Sequence, residues 1–206
     1  MSSPANPFTL ANWRRTVASH YARLRAPAED RRVQCDAFRH ARDELFRSHP
    51  ESPIAQDRRS AWPGAAWYAY DASWRVVGTI EPIGTRATFE IALAADGVLR
   101  CTRMGLVRFA VKGKGASLAV YWLEGYGGGL WLPFADATSG AGTYGGGRYL
   151  YDTIKGADLG VGEREIVLDF NYAYNPSCAY DERWSCPLSP AENRLPFPIE
   201  AGERIA

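Results

Sequence analysis

The chain has 206 residues, of which 46% are hydrophobic and 13% aromatic, and a formal net charge of +1 at pH 7. That length suits one domain with a substantial core, and the apolar content offsets the entropy of ordering, which excludes a disordered chain. So balanced a charge gives no global attraction for nucleic acid or for an anionic membrane, and neither is expected as a partner.

The start, MSSPANPFTLANWRRTV, lacks the apolar core of a secretory signal, and no later run approaches the length of a membrane span. A cytoplasmic address is expected. Four cysteines, at 35, 101, 178 and 186, are too few to frame a domain of this size with disulfides, and a reducing compartment would keep them as thiols.

Trp13, Val17, Tyr21 and Leu24 recur at helical spacing after Asn12, which can cap, and Pro27 interrupts. A second helix is predicted from about Ala28 to Ser48, with Val33, Ala37, Ala41 and Leu45 on one face and Phe38 beside it. On its other face Asp43 can pair with Arg39 or Arg47. His49-Pro50 ends it. The arginines at 14, 15, 23, 25, 31 and 32 read as a solvated helix face, since no aromatic platform or DNA-binding motif accompanies them.

Beyond a Pro- and aromatic-rich connector the period becomes two. Trp74, Val76 and Ile80 alternate, as do Phe89, Ile91 and Leu93, and Asp96-Gly97 marks a hairpin leading into residues 98–102. Val107, Phe109 and Val111 face one way, Gly113-Lys114-Gly115 turns the chain, and Leu118, Val120 and Trp122 return it. Leu130–Phe134 and Glu165–Asn171 read as further strands. The expected fold is mainly β (α+β): an antiparallel β-sandwich or barrel-like sheet with two N-terminal helices and a long irregular C-terminal segment. Residues 1–60 form the helical segment, packed on a β-rich domain of residues 61–206, as one structural domain.

Two loops carry chemistry beyond the needs of a turn. In PFADATSGAGTYGGGRYL, residues 133–150, the glycines permit close backbone approach, and Asp136, Thr138, Ser139, Thr143, Tyr144 and Arg148 surround them. It has neither the spacing nor the lysine of a phosphate loop. The other is FNYAYNPSCAYDERWSC, residues 170–186. If Ile166, Leu168 and Phe170 share one strand face, Asp169 and Asn171 share the opposite one. Cys178 and Cys186 stand eight positions apart, read as thiols packing the loop, with a metal pair and a redox pair as lesser alternatives. All three histidines lie in the first third, and no GxSxG elbow is present, so serine hydrolase chemistry is not expected.

The strings PFADATSG, TYGGGRYL, LDFNYAYNPSCAY, CPLSPAENRL and IEAGER, with FRHARDELFRSHPESPI upstream, together resemble the bacterial proteins grouped as family 1684 of the domains of unknown function, from about Phe38 to Glu203. Several unusual strings occur in the family's order. The resemblance implies a helical segment ending in His-Pro-x-Ser-Pro, a β-rich middle and a polar C-terminal block that includes Arg148, Asp169, Asn171, Asn175, Cys178, Cys186, Asn193 and Glu203. Many relatives carry Glu two residues after the Ser-Gly, where this chain has Gly142. The resemblance supplies no reaction.

The two loops are therefore expected to converge on one pocket for a small polar or anionic ligand. Arg148 would hold it, with Asn171, Asn175 and Asn193 as hydrogen-bonding partners and Thr138, Ser139 and Tyr174 as further contacts. Asp136 or Asp169 would serve as general base and Tyr144 or Tyr174 as acid. The alternatives are a non-catalytic domain locked by a buried polar network and a cysteine metal site at Cys178 and Cys186. No cofactor is expected, and oligomeric state and enzymatic character are left open.

Overall fold

The computed structural model describes residues 6–93 and 97–205. Asn6 caps the first helix, α1 (Pro7–Arg25), by accepting the Phe8 N–H at 3.0 Å, with Pro7 in the first turn where its missing donor costs nothing. The helix thus begins ahead of Asn12, which bonds instead to His49. Asp30 caps α2 (Arg31–Ser48) through bonds from Arg32 and Val33, and His49 closes it. The buried residues of α2 are Cys35, Phe38, Leu45 and Phe46: Leu45 lies on the expected face and Phe38 beside it, whereas Val33 and Ala37 point to solvent. Asp43 accepts from the Ala65 N–H, Arg47 pairs with Glu44, and Arg39 lies over the Trp67 ring.

Seven antiparallel strands form one curled sheet: β1 (Arg75–Pro82), β2 (Thr88–Leu93), β3 (Gly97–Val111), β4 (Lys114–Leu123), β5 (Gly129–Phe134), β6 (Arg148–Asp152) and β7 (Glu165–Asp169). Their order is β6-β5-β4-β3-β1-β7, with β2 pairing β3. Leu93 pairs Gly97 across the first hairpin, whose Asp96 lies outside the described residues. The next turn is the two-residue Lys112-Gly113, one position earlier than expected. Both residues have positive φ (48° and 75°), which matches the twist of the strands it joins.

The sheet is covered on both faces. On one, Val107, Phe109, Leu118, Val120 and Leu132 join Tyr21, Leu24 and Phe38 of the helices in the main core. On the other, Tyr121, Trp131 and Tyr149 pack successively, tilted and then edge-on, with ring centres 5.5 and 5.6 Å apart. β7 ends at Asp169, and residues 170–172 turn in a single 3-10 turn rather than extending the strand.

The segment after residue 186 wraps the sheet. Leu195 N–H bonds Ala135 O, Glu203 N–H bonds Ala173 O, and Arg204 N–H bonds Ala66 O. Gly202 has φ +77°, and a Cβ there would stand 2.5 Å from the Ala173 carbonyl oxygen, so only glycine fits. Beside β4, beyond Tyr121–Trp131 where its pairing with β5 ends, the Asn193 amide takes a strand's place. Its Oδ1 accepts the Ala119 N–H at 2.7 Å and its Nδ2 donates to Ala119 O and Pro133 O at 2.9 and 2.7 Å.

Asn193→Ala leaves those backbone groups unpaired in a buried place and should cost about 3 kcal/mol. Urea unfolding should show the midpoint falling with an unchanged slope, and a loss under about 1 kcal/mol would contradict this role.

Candidate functional site

The sequence-derived residues divide among four places. At the first, β5 delivers Phe134 and the chain runs on to Asp136, facing Arg148 at the start of β6. Both side chains are buried. Arg148 Nη2 donates to Asp136 Oδ2 at 2.8 Å and to Ile199 O at 2.9 Å; Nη1 donates to Ala201 O and, at 3.2 Å, to Glu203 O. The guanidinium lies over the Phe134 ring. Burial pulls its pKa down, and the Asp136 carboxylate opposes that. Asp136 Oδ1 accepts from the Thr138 N–H and hydroxyl at 2.7 and 2.6 Å and from Ile199 N–H, while the Asp136 N–H donates to Ser139 Oγ. Asp136, Thr138, Ser139 and Arg148 thus meet each other and the C-terminal segment.

Asp169 and Asn171 lie elsewhere. Asn171 Nδ2 donates to Asp169 Oδ1 and to Asp71 O, both at 2.9 Å, and its Oδ1 accepts the Asp71 N–H. Burial pushes the Asp169 pKa up against the bonds from Asn171 and the charge of Arg75 at 3.8 Å. Asn193 occupies the third place, on β4. Arg148 makes its hydrogen bonds within the first of these places and none to Asn171, Asn175 or Asn193.

The fourth place is open. Where α1 and α2 meet β6 and the 174–180 loop, a cavity of about 50 Å³ is lined by Trp13, Tyr21, Arg42, Phe46, Lys155, Tyr174 and Asn175 among others. That is room for a few water-sized groups. The Arg42 guanidinium lies 4.3 Å from the Phe46 ring centre and 5.0 Å from that of Tyr174, and its Nη2 reaches Glu203 Oε2 at 3.3 Å. The same carboxylate oxygen accepts the Asn175 N–H at 2.6 Å. Asn175 Nδ2 donates to Arg204 O, and Lys155 pairs loosely with Asp152 at 3.6 Å.

Around this cavity buried polar atoms lack hydrogen-bond partners among the described residues: Tyr21 Oη, Arg42 Nε, Asn175 Oδ1 and Tyr180 Oη on its lining, and Glu203 Oε1 outside it. Arg148 Nε is also unpartnered, but in the sealed first place. Burial pushes the Tyr21 phenol well above its ordinary value and raises Glu203 against the opposing charge of Arg42. Tyr174 and Asn175 were legible as candidates. Tyr21 and Arg42 were missed, although an arginine four residues from both Phe38 and Phe46, on the apolar stripe of α2, was a visible signal.

The two chemistry-bearing loops do touch: Tyr144 Oη lies 3.5 Å from Cys178 Sγ, and the Tyr149 hydroxyl donates to Pro187 O. Cys178 and Cys186 gather no third metal ligand, since no group of three His, Cys, Asp or Glu suited to a metal occurs among the described residues. No helix among the described residues is long and apolar enough to cross a membrane.

A family model described as a protein of unknown function, DUF1684, matches residues 60–204. Among solved structures, the solution NMR structure of an uncharacterized protein from Haloarcula marismortui matches at 32% identity and a TM-score of 0.59, over 86% of this chain and 95% of that one. No curated protein matches the chain.

Because its buried carboxyl is raised above the ordinary 4.5, Glu203 holds its proton to higher pH in the folded chain than in the unfolded one. Its favourable contribution is complete below 4.5 and is lost as pH rises through the folded value. Thermal melts of wild type and Glu203→Gln should therefore diverge with pH, the wild type losing ground to the variant as pH rises above 4.5. A difference independent of pH would contradict the raised value.

Proposed function

The chain belongs to the DUF1684 family, whose description carries no activity, and we propose from its own geometry that it binds a small polar molecule in the cavity between α1, α2 and the 174–180 loop. The observation that carries this reading is the set of unpartnered polar atoms on Tyr21, Arg42, Asn175 and Tyr180. Each unsatisfied buried group costs about 1–3 kcal/mol, and folded proteins keep few of them. Four on one small cavity are accounted for by a molecule that completes them.

Their chemistry defines the ligand class. Arg42 Nε and Tyr21 Oη offer donors; Asn175 Oδ1 and Glu203 Oε1 offer acceptors. Arg42 is matched by Glu203 and Lys155 by Asp152, so the cavity has cations without a large excess of charge. A primary amide, with acceptor and donor side by side, fits this set, and a carboxylate, which only accepts, fits its donors. Trp13, Phe46 and Tyr174 provide aromatic walls for an apolar body at the mouth. On this reading Asp136, Arg148, Asn171 and Asn193 hold the fold, by satisfying the backbone of the C-terminal wrap.

Thermal shift with benzoate, benzamide, acetate and inorganic phosphate, on wild type and Tyr21→Phe, tests the assignment. A carboxylate or amide should raise the wild-type melting temperature in proportion to the logarithm of its concentration. Tyr21→Phe removes an unpaired hydroxyl, so without ligand it should melt at the same temperature or slightly higher, while binding weakens about tenfold. Absence of any shift across the four compounds, or a Tyr21→Phe protein destabilised by more than about 1 kcal/mol, would overturn it.

A further inference from the structure

Beside the cavity, on the far side of Ser177, Cys178 and Cys186 face each other. The Cys178 backbone N–H donates to Cys186 Sγ at 3.4 Å, and Tyr144 Oη lies 3.5 Å from Cys178 Sγ. Both residues are partly exposed, whereas Cys35 and Cys101 are buried. The Cys186 sulfur thus already lies against the backbone of Cys178, which sits in the 3-10 turn Ser177–Ala179. The loop between them is fastened at its sides: Arg58 pairs with Asp181, and Trp184 Nε1 donates to Pro53 O.

We propose that Cys178 and Cys186 form a redox-active dithiol, with Cys178 as the attacking thiol and Cys186 as the resolving one, oxidised by small hydroperoxides to an intrachain disulfide. The Cys178 thiolate attacks one oxygen of the hydroperoxide and the O–O bond breaks. The departing oxygen takes a proton and leaves as water or an alcohol, and Cys178 becomes a sulfenic acid. Cys186 then gives up its proton, its sulfur attacks the Cys178 sulfur, and the S–O bond breaks with loss of a second water. Two electrons pass from the two thiols to one hydroperoxide, and a thiol reductant reverses the change.

The surroundings suit these roles. The Cys186 thiol and the Tyr144 hydroxyl hydrogen-bond to Cys178 and the Lys155 charge lies near, which together lower the Cys178 pKa against the cost of burial. The same pairing raises Cys186, which keeps its proton until the second step. Donating that bond also pushes the Tyr144 phenol up to about 12, so it stays a donor at neutral pH. Cys35 is pushed by burial up to about 11 and Cys101 is raised likewise, which makes them internal controls in the same chain.

The test uses the intact reduced chain. At pH 6, iodoacetamide should label Cys178 about tenfold faster than it labels glutathione, and Tyr144→Phe should slow that labelling severalfold. One equivalent of hydrogen peroxide should yield a Cys178–Cys186 linkage. Trypsin cleaves after Arg183, so the linkage reads out as a joined pair of peptides. In Cys186→Ser the same treatment should leave a dimedone-trappable sulfenic acid at Cys178, and in Cys178→Ser neither linkage nor adduct should form. Labelling of Cys178 no faster than glutathione, earlier oxidation of Cys35 or Cys101, or direct conversion of wild-type Cys178 to a sulfinic acid without linkage would each overturn the proposal.

Discussion

Burying one guanidinium organises the C-terminal half of this molecule. An unpaired charge in a protein interior costs several kcal/mol, so Arg148 demands a carboxylate and a set of carbonyls around it. Asp136 supplies the first, and Ile199, Ala201 and Glu203 supply the second. Holding the Glu203 backbone in that shell fixes where its side chain goes, between Arg42 on α2 and the Asn175 N–H. The wall of the open cavity is thus built indirectly by a residue that has no access to it.

Much of the fold was legible because period reports burial on one side. The helices, the hairpins and the antiparallel sheet follow from spacing and turn chemistry, and their errors are small shifts at ends, as at Asn6 and Lys112. Legibility failed where burial is two-sided. Every residue of β6 is buried, so no alternation marks it, and its first residue is an arginine that looks like surface. The end of β7 failed for another reason: Asp169 bonds the Asn171 N–H two residues on and turns the chain, a local competition that strand propensity does not register.

The site was half legible. Reading the 170–186 loop as too polar for a mere connection led to Tyr174 and Asn175, which line the open cavity, and to the two cysteines, which lie beside it. The same reasoning grouped Arg148, Asn171 and Asn193 with them, because a polar side chain in a loop looks alike whether it faces a cavity or completes a backbone. Tyr21 and Arg42 come from helices far away in sequence, and only the packing of α1 and α2 on the sheet brings them to the loop. Position on a helix face was readable; what the face would meet was not.

The Arg148 shell also imposes an order on how the chain is made. A ribosome releases residue 148 well before residues 199–203, so for that interval the sheet exists without the carbonyls its arginine requires. The guanidinium must stay hydrated, which keeps the β5–β6 edge from sealing against Phe134 and the main core. Completion waits for a late segment whose Gly202 must lie against the Phe170 and Ala173 carbonyls, where nothing bulkier fits. The nascent protein is therefore held open at one seam until its C-terminal stretch arrives, and chaperones would meet it in that unsealed form.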